Sequence, residues 1–167
     1  MEFEALLPKA QKPEYTDGYD GFFHLNRMEG GVEEAHLHYI IRDHDNEKFE
    51  EKKHIFDRTA AYLNDVYGAG TVTCEIRDSY YNMKDRIAPH EHLIQNAVRA
   101  MEANGIVPKI VPIRGGTDGA RLSYMGLPCP NLCTGGGNFH GRYEYVSIQS
   151  MERIVKMLID LVTDYHM

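Results

Sequence analysis

The chain has 167 residues, 43% of them hydrophobic and 26% charged, with a net charge of -7. That length supports one good core or two small lobes. The acidic balance, with no basic tract longer than Lys52-Lys53, argues against nucleic acid as a partner. No apolar run approaches a membrane span, and the start MEFEALLPKA is no signal peptide. Three cysteines, Cys74, Cys129 and Cys133, are an odd number that fits reduced thiols in a cytoplasm.

In chain order, Glu4 to Leu7 reads as a helix remnant stopped by Pro8 and Pro13. Tyr19 to Met28 predicts a strand ending at Gly30-Gly31. A second strand follows, with Ala35, Leu37, Tyr39 and Ile41 alternating against His36, His38, Ile40 and Arg42, so the pair reads as a hairpin. Asn46 to Tyr67 predicts a helix with Phe49, Phe56, Ala60, Leu63 and Tyr67 on one face, Asp45 or Asn46 as its cap and Gly68 as its stop. Thr71 to Tyr81 alternates again and predicts a third strand. Strand, strand, helix, strand describes a small α+β lobe with an antiparallel sheet.

Asn82 to Ala88 reads as the hinge to a second lobe. A helix follows from Pro89 to Gly105, striped by Leu93, Ile94, Ala97, Val98 and Met101. Short strands are predicted at Lys109–Ile113 and Asn131–Thr134, with a helix from Thr117 to about Met125 between them. A last helix, Ser147 to about Tyr165, offers Ile148, Met151, Val155, Leu158 and Val162 as its apolar face. Helix, strand, helix, strand, helix reads as α/β with a partly parallel sheet. Two strands make a poor sheet, so it is expected to need partners outside this chain.

The chemistry concentrates between Pro112 and Gly141. Arg114 to Gly119 reads as a glycine-bearing strand-to-helix turn. A guanidinium beside free N–H groups suits an anion, and the same turn is equally well a helix cap by Thr117 or Asp118. It is no nucleotide phosphate loop, because no Gly-Lys-Ser/Thr follows. His140, after Gly135-Gly136-Gly137, is placed to enter a cleft, yet one histidine makes no zinc site and a hydrogen-bonded role also fits. His36 and His38 share a strand face and could join His24 or His44 on a metal, or simply line an exposed hairpin. Cys129 and Cys133 lack a second pair and read as small buried side chains. Glu33 and Glu34 point to opposite faces if in a strand, and Ser123 and Ser147 lack a nucleophile-elbow setting.

Four segments in order, HYIIRDHD, RDSYYNM, PIRGGTDGARLSYMGLPCPNL and TGGGNFHGRYEYV, resemble the C-terminal part of the peptidase T family, bacterial tripeptide aminopeptidases with two zincs. The resemblance implies that residues 1–82 are most of a lid or dimerisation domain, of a ferredoxin-like type, and that 83–167 are the end of the catalytic domain. It assigns His140 as a zinc ligand and gives Arg42 and Arg114 the peptide's C-terminal carboxylate, with Asn82 as a substrate contact. Gly137 and Tyr143 depart from the family pattern, which has an aromatic residue and a histidine there. The family's His-x-Asp pair, bridging Asp, catalytic Glu-Glu and further Asp have no counterpart here. No catalytic residue is therefore assigned in this chain, a complete zinc site is not expected in it, and it is expected to be inactive alone. A homo-oligomer through the lid or exposed sheet edges is a further expectation. The rival reading is a standalone dimerisation or small-peptide-binding module.

Overall fold

The computed structural model describes residues 2–165. They divide into two units, residues 2–82 with Pro112–Gly115, and Met83–Val111 with residues 116–165.

The first unit opens with helix α1 (Glu2–Leu6), ended by Pro8, and two single 3-10 turns at Lys9–Gln11 and Pro13–Tyr15. Strands β1 (Phe22–Gly30) and β2 (Ala35–Arg42) pair antiparallel, from Phe22 opposite Arg42 to Gly30 opposite Ala35, with a bulge at Asn26. The predicted hairpin is present. Helix α2 (Asn46–Tyr67) is capped by Asp45, whose Oδ1 accepts from Lys48 N at 3.0 Å, and stops at Gly68 with φ of 105°. Phe56 on α2 is the centre of the core. Its ring meets Phe3, Phe23 and Tyr39 at centroid distances of 5.3, 5.4 and 5.0 Å, and Leu7, Ile41, Ile55, Cys74 and Ile76 complete the cluster. Four elements thus bury one aromatic knot, which is what fixes the hairpin on the helix.

Residues 72–80 do not pair as the predicted third strand. Their ladder partner is a side chain: Asn64 donates from Nδ2 to the Val72 carbonyl at 2.9 Å and accepts from Val72 N at 2.8 Å. The alternation still reports burial correctly, since Cys74 and Ile76 face the core. The predicted α2 face shifts slightly: Tyr67 is exposed, whereas Lys52 is buried. Lys52 Nζ lies 2.8 Å from Asp43 Oδ2, with 8% and 3% of the side chains accessible. Gly21 is required beside that pair, because a Cβ there would stand 2.0 Å from Asp43 Oδ2.

The second unit begins with α3 (Lys84–Ile87) and a 3-10 turn at Ala88–His90, so the expected hinge is helical. Helix α4 (His92–Ala103) buries Ala97, which lies on its predicted stripe, and Ala100, which does not. Helix α5 (Asp118–Tyr124) is capped by Thr117, and α6 (Ile148–Asp164) by Ser147, whose Oγ accepts from Ser150 N at 3.1 Å. α4 packs on α6, and Asn104 Nδ2 donates to Asp160 Oδ2 at 2.7 Å.

Here the sequence reading needs two corrections. The face of α6 chosen by its apolar stripe points outward: Val155 is 55% exposed and Val162 59%, while the buried residue is Met157 at 0%. Helix α4 takes the neighbouring stripe, because its alanine surface admits close packing there. The second correction concerns Lys109–Ile113 and Asn131–Thr134, which pair with nothing among the described residues; the paired strands are the two-residue β3 (Gly136–Gly137) and β4 (Tyr145–Val146). An apolar run buried in a parallel sheet needs a neighbour on each side. Among the described residues Val107 and Ile110 pair with no strand, and both are exposed. The secondary structure is α+β, with two small antiparallel sheets among the described residues.

Candidate functional site

Two of the sequence-predicted residues meet in the first unit, 72 positions apart in the chain. Arg42, last residue of β2, donates from Nη1 to the Arg114 carbonyl at 3.0 Å. Arg114 is held in turn from Nη1 to the Thr16 carbonyl at 2.7 Å and from Nη2 to Thr16 Oγ1 at 2.5 Å. Each guanidinium lies over an aromatic ring, Arg114 over Phe22 at 4.8 Å and Arg42 over Tyr80 at 5.7 Å. Stacking on a ring face lets a guanidinium keep its N–H edges for acceptors. Both arginines are only partly accessible, and Arg114 Nε is enclosed with no hydrogen-bond partner among the described residues.

Asn82 joins the same neighbourhood by donating from Nδ2 to the His44 carbonyl at 3.0 Å. The His44 imidazole stands edge-on to Tyr19 at 5.2 Å. Burial pushes its pKa below the usual histidine range; Asp43 opposes that shift and the Arg114 charge adds to it. The result is a patch with two permanent cations, a histidine biased to neutrality and three aromatic rings. Such a patch attracts a carboxylate or another small oxyanion and gives apolar flanks to whatever carries it. The sequence reading missed Thr16, Tyr19, Phe22 and Tyr80. No local pattern marks them; Thr16 is 98 residues from the arginine it holds.

His140 lies in the second unit. Asn138 and His140 both take left-handed backbone, φ of 55° and 61°, on a turn closed by Gly141 N donating to the Asn138 carbonyl at 2.8 Å. Such backbone is uncommon outside glycine and is found where a loop is built for its side chains. The His140 amide donates to Glu144 Oε2 at 3.1 Å, and its side chain is exposed. The glycines before it are packing requirements: a Cβ on Gly135 would come within 2.8 Å of Ser150 Cβ on α6.

Among the described residues no three His, Cys, Asp or Glu side chains converge on a point that could hold a metal ion. His140 alone does not make a zinc site, which takes three or four protein ligands. His36 and His38 are exposed beside Glu34 and Glu29, at 3.8 and 3.4 Å. Cys133 is exposed rather than buried as expected, and Cys129 is half-buried. No described helix is long and apolar enough to cross a membrane.

Comparison with known proteins gives the context. The chain is 51% identical over 165 residues to peptidase T of Caldanaerobacter subterraneus subsp. tengcongensis, covering 99% of this chain and 40% of that protein. It is 52% identical over 165 residues to peptidase T of Alkaliphilus oremlandii, again covering 99% and 40%. The chain thus spans about 40% of the length of these relatives, matching their C-terminal portion. The crystal structure of aminopeptidase PepT from Bacillus cereus ATCC 10987 shares the fold, with a TM-score of 0.57 at 18% identity over 96% of this chain and 44% of that one. The model of peptidase family M20/M25/M40, a generally metal-dependent family, matches residues 9–164, and the chain belongs to that family.

Proposed function

We propose that this chain is the carboxylate-gripping portion of a peptidase T-like tripeptide aminopeptidase. Arg42 and Arg114 hold the C-terminal carboxylate of a short peptide and so set length selectivity, and Asn82 contacts the substrate. Residues 1–82 serve as lid and dimerisation domain, and residues 83–167 as the end of a catalytic domain. His140 contributes one imidazole to a two-zinc centre whose other ligands and general base are not in this chain. A water activated on a metal needs several protein ligands and a base within reach, so the chain alone is inactive. The protein works in the cytoplasm.

One observation carries the reading. The two arginines that the family resemblance gives to a single task, 72 residues apart, are joined by a hydrogen bond of 3.0 Å. The bond runs from the Arg42 side chain to the Arg114 backbone carbonyl, so it ties the end of β2 to the segment that carries Arg114.

The test is a tripeptide assay with excess zinc, run beside a binding titration. The expected result is binding that needs a free peptide carboxylate, with no release of the N-terminal residue. Turnover by the chain alone contradicts the reading, and so does indifference to the carboxylate.

A further inference from the structure

Arg114 has five N–H donors, and a ligand can use only those that the protein leaves over. Thr16 engages one N–H of each terminal nitrogen, through its carbonyl oxygen at 2.7 Å and its hydroxyl oxygen at 2.5 Å. Two oxygens of one residue facing Nη1 and Nη2 together copy the grip of a carboxylate on the end of the guanidinium fork. The Thr16 hydroxyl has its own proton directed elsewhere, to the Lys12 carbonyl at 3.1 Å, so its lone pairs face the arginine. Lys12 and Thr16 bracket the turn at Pro13–Tyr15, whose proline fixes the loop that carries this oxygen pair. Phe22 lies against the face of the guanidinium.

We infer that Thr16 is a positioning residue of the carboxylate grip: it occupies the end-on fork of Arg114, fixes the guanidinium plane on Phe22, and leaves the second N–H of Nη1 or Nη2 to meet the peptide. This rests on the proposed function, in which Arg114 holds a peptide carboxylate. Threonine is suited to the role because it presents two acceptor oxygens to the fork, its carbonyl and its hydroxyl. Valine keeps the shape and the carbonyl but not the hydroxyl.

Two measurements on the full chain test it. The first needs no ligand: rotation about the Arg114 Cζ–Nε bond, followed by NMR of the guanidinium nitrogens and assigned by their loss in Arg114→Lys. Thr16→Val is expected to speed that rotation about tenfold, the size of one lost hydrogen bond to a charged group, and Thr16→Ser to leave it near wild type. The second is titration with tri-alanine and with tri-alanine amide. Thr16→Val is expected to weaken tri-alanine about tenfold and leave the amide unchanged, with Thr16→Ser restoring the difference. Unchanged rotation in Thr16→Val overturns the Thr16 role while leaving the carboxylate grip standing. Equal affinity of the wild type for tri-alanine and its amide overturns the grip itself, whatever Thr16 does to the arginine.

Discussion

In the first unit Phe23 and Phe56 keep 2% and 5% of their accessible surface; in the second, Val107 and Ile110 keep 89% and 76%. Both units are drawn from one chain of ordinary hydrophobic content, so the difference is not composition. It is what each apolar stripe finds opposite it. The hairpin and α2 each have one apolar face, and the two faces close on each other around Phe56. In the second unit α4, which buries Ala97 and Ala100, packs on α6, and the broader stripe of α6 through Val155 and Val162 is exposed. An amphipathic helix has a stable place only when its whole apolar face is covered. The well-closed unit is also the one that contains the arginine pair.

Mutation can sharpen this contrast. Phe56→Ala removes the ring on which Phe3, Phe23 and Tyr39 converge, and is expected to destabilise the first unit by about 3–5 kcal/mol. Val155→Ser, on the exposed face of α6, is expected to change stability by less than about 0.5 kcal/mol. Urea unfolding read by amide exchange in each unit checks both. Equal effects would erase the distinction between the two units.

Asp43→Ala should come next. It strands a buried lysine, and an unpartnered buried charge costs about 3–5 kcal/mol. Adding Lys52→Met, which removes the stranded ammonium but keeps the apolar stem, is expected to recover most of that loss. Additive losses in the double variant would show that the pair does not act as a unit. A smaller effect, about 1–2 kcal/mol, is expected from Asn64→Ala, which removes both hydrogen bonds to Val72. Its signature is local: amides of residues 72–80 lose protection while those of the hairpin keep theirs.

That last segment also shows how far the sequence was legible. Its period of two located Cys74 and Ile76 on the core side, because alternation reports burial. It could not report pairing, because the partner is the amide of Asn64 and not a strand. Lys109–Ile113 failed for a related reason: an apolar run states a need for neighbours and does not supply them. The α6 stripe went to the wrong side because the sequence shows where a helix is apolar, and only the packing partner decides which part is covered. At the site, family resemblance named Arg42, Arg114, Asn82 and His140. Thr16, Phe22 and Tyr80 are set by tertiary approach alone and have no signal in spacing.

A further effect is expected of pH on the first unit. The His44 pKa is lowered from an unfolded value near 6.5. Between that value and the lower folded one, the unfolded chain binds more protons, so stability rises with pH and is lost as pH falls from 6.5 toward the folded pKa. Glu4 follows at lower pH. Burial alone would raise its pKa, but hydrogen bonds from Lys12 and Tyr39 hold it below 4.5. Its contribution is present above 4.5 and lost as pH falls through the folded value. His44→Asn is expected to flatten the upper part of the profile and Glu4→Gln the lower part, in denaturation midpoints measured from pH 8 to pH 3.

The most direct measurement mixes the chain with tri-alanine and zinc and follows NMR shifts and free alanine together. The account predicts shifts at Arg42, Asn82 and Arg114, their loss in Arg114→Gln, and no alanine released. Alanine released by this chain at steady turnover, or shifts that persist in Arg114→Gln, would contradict it.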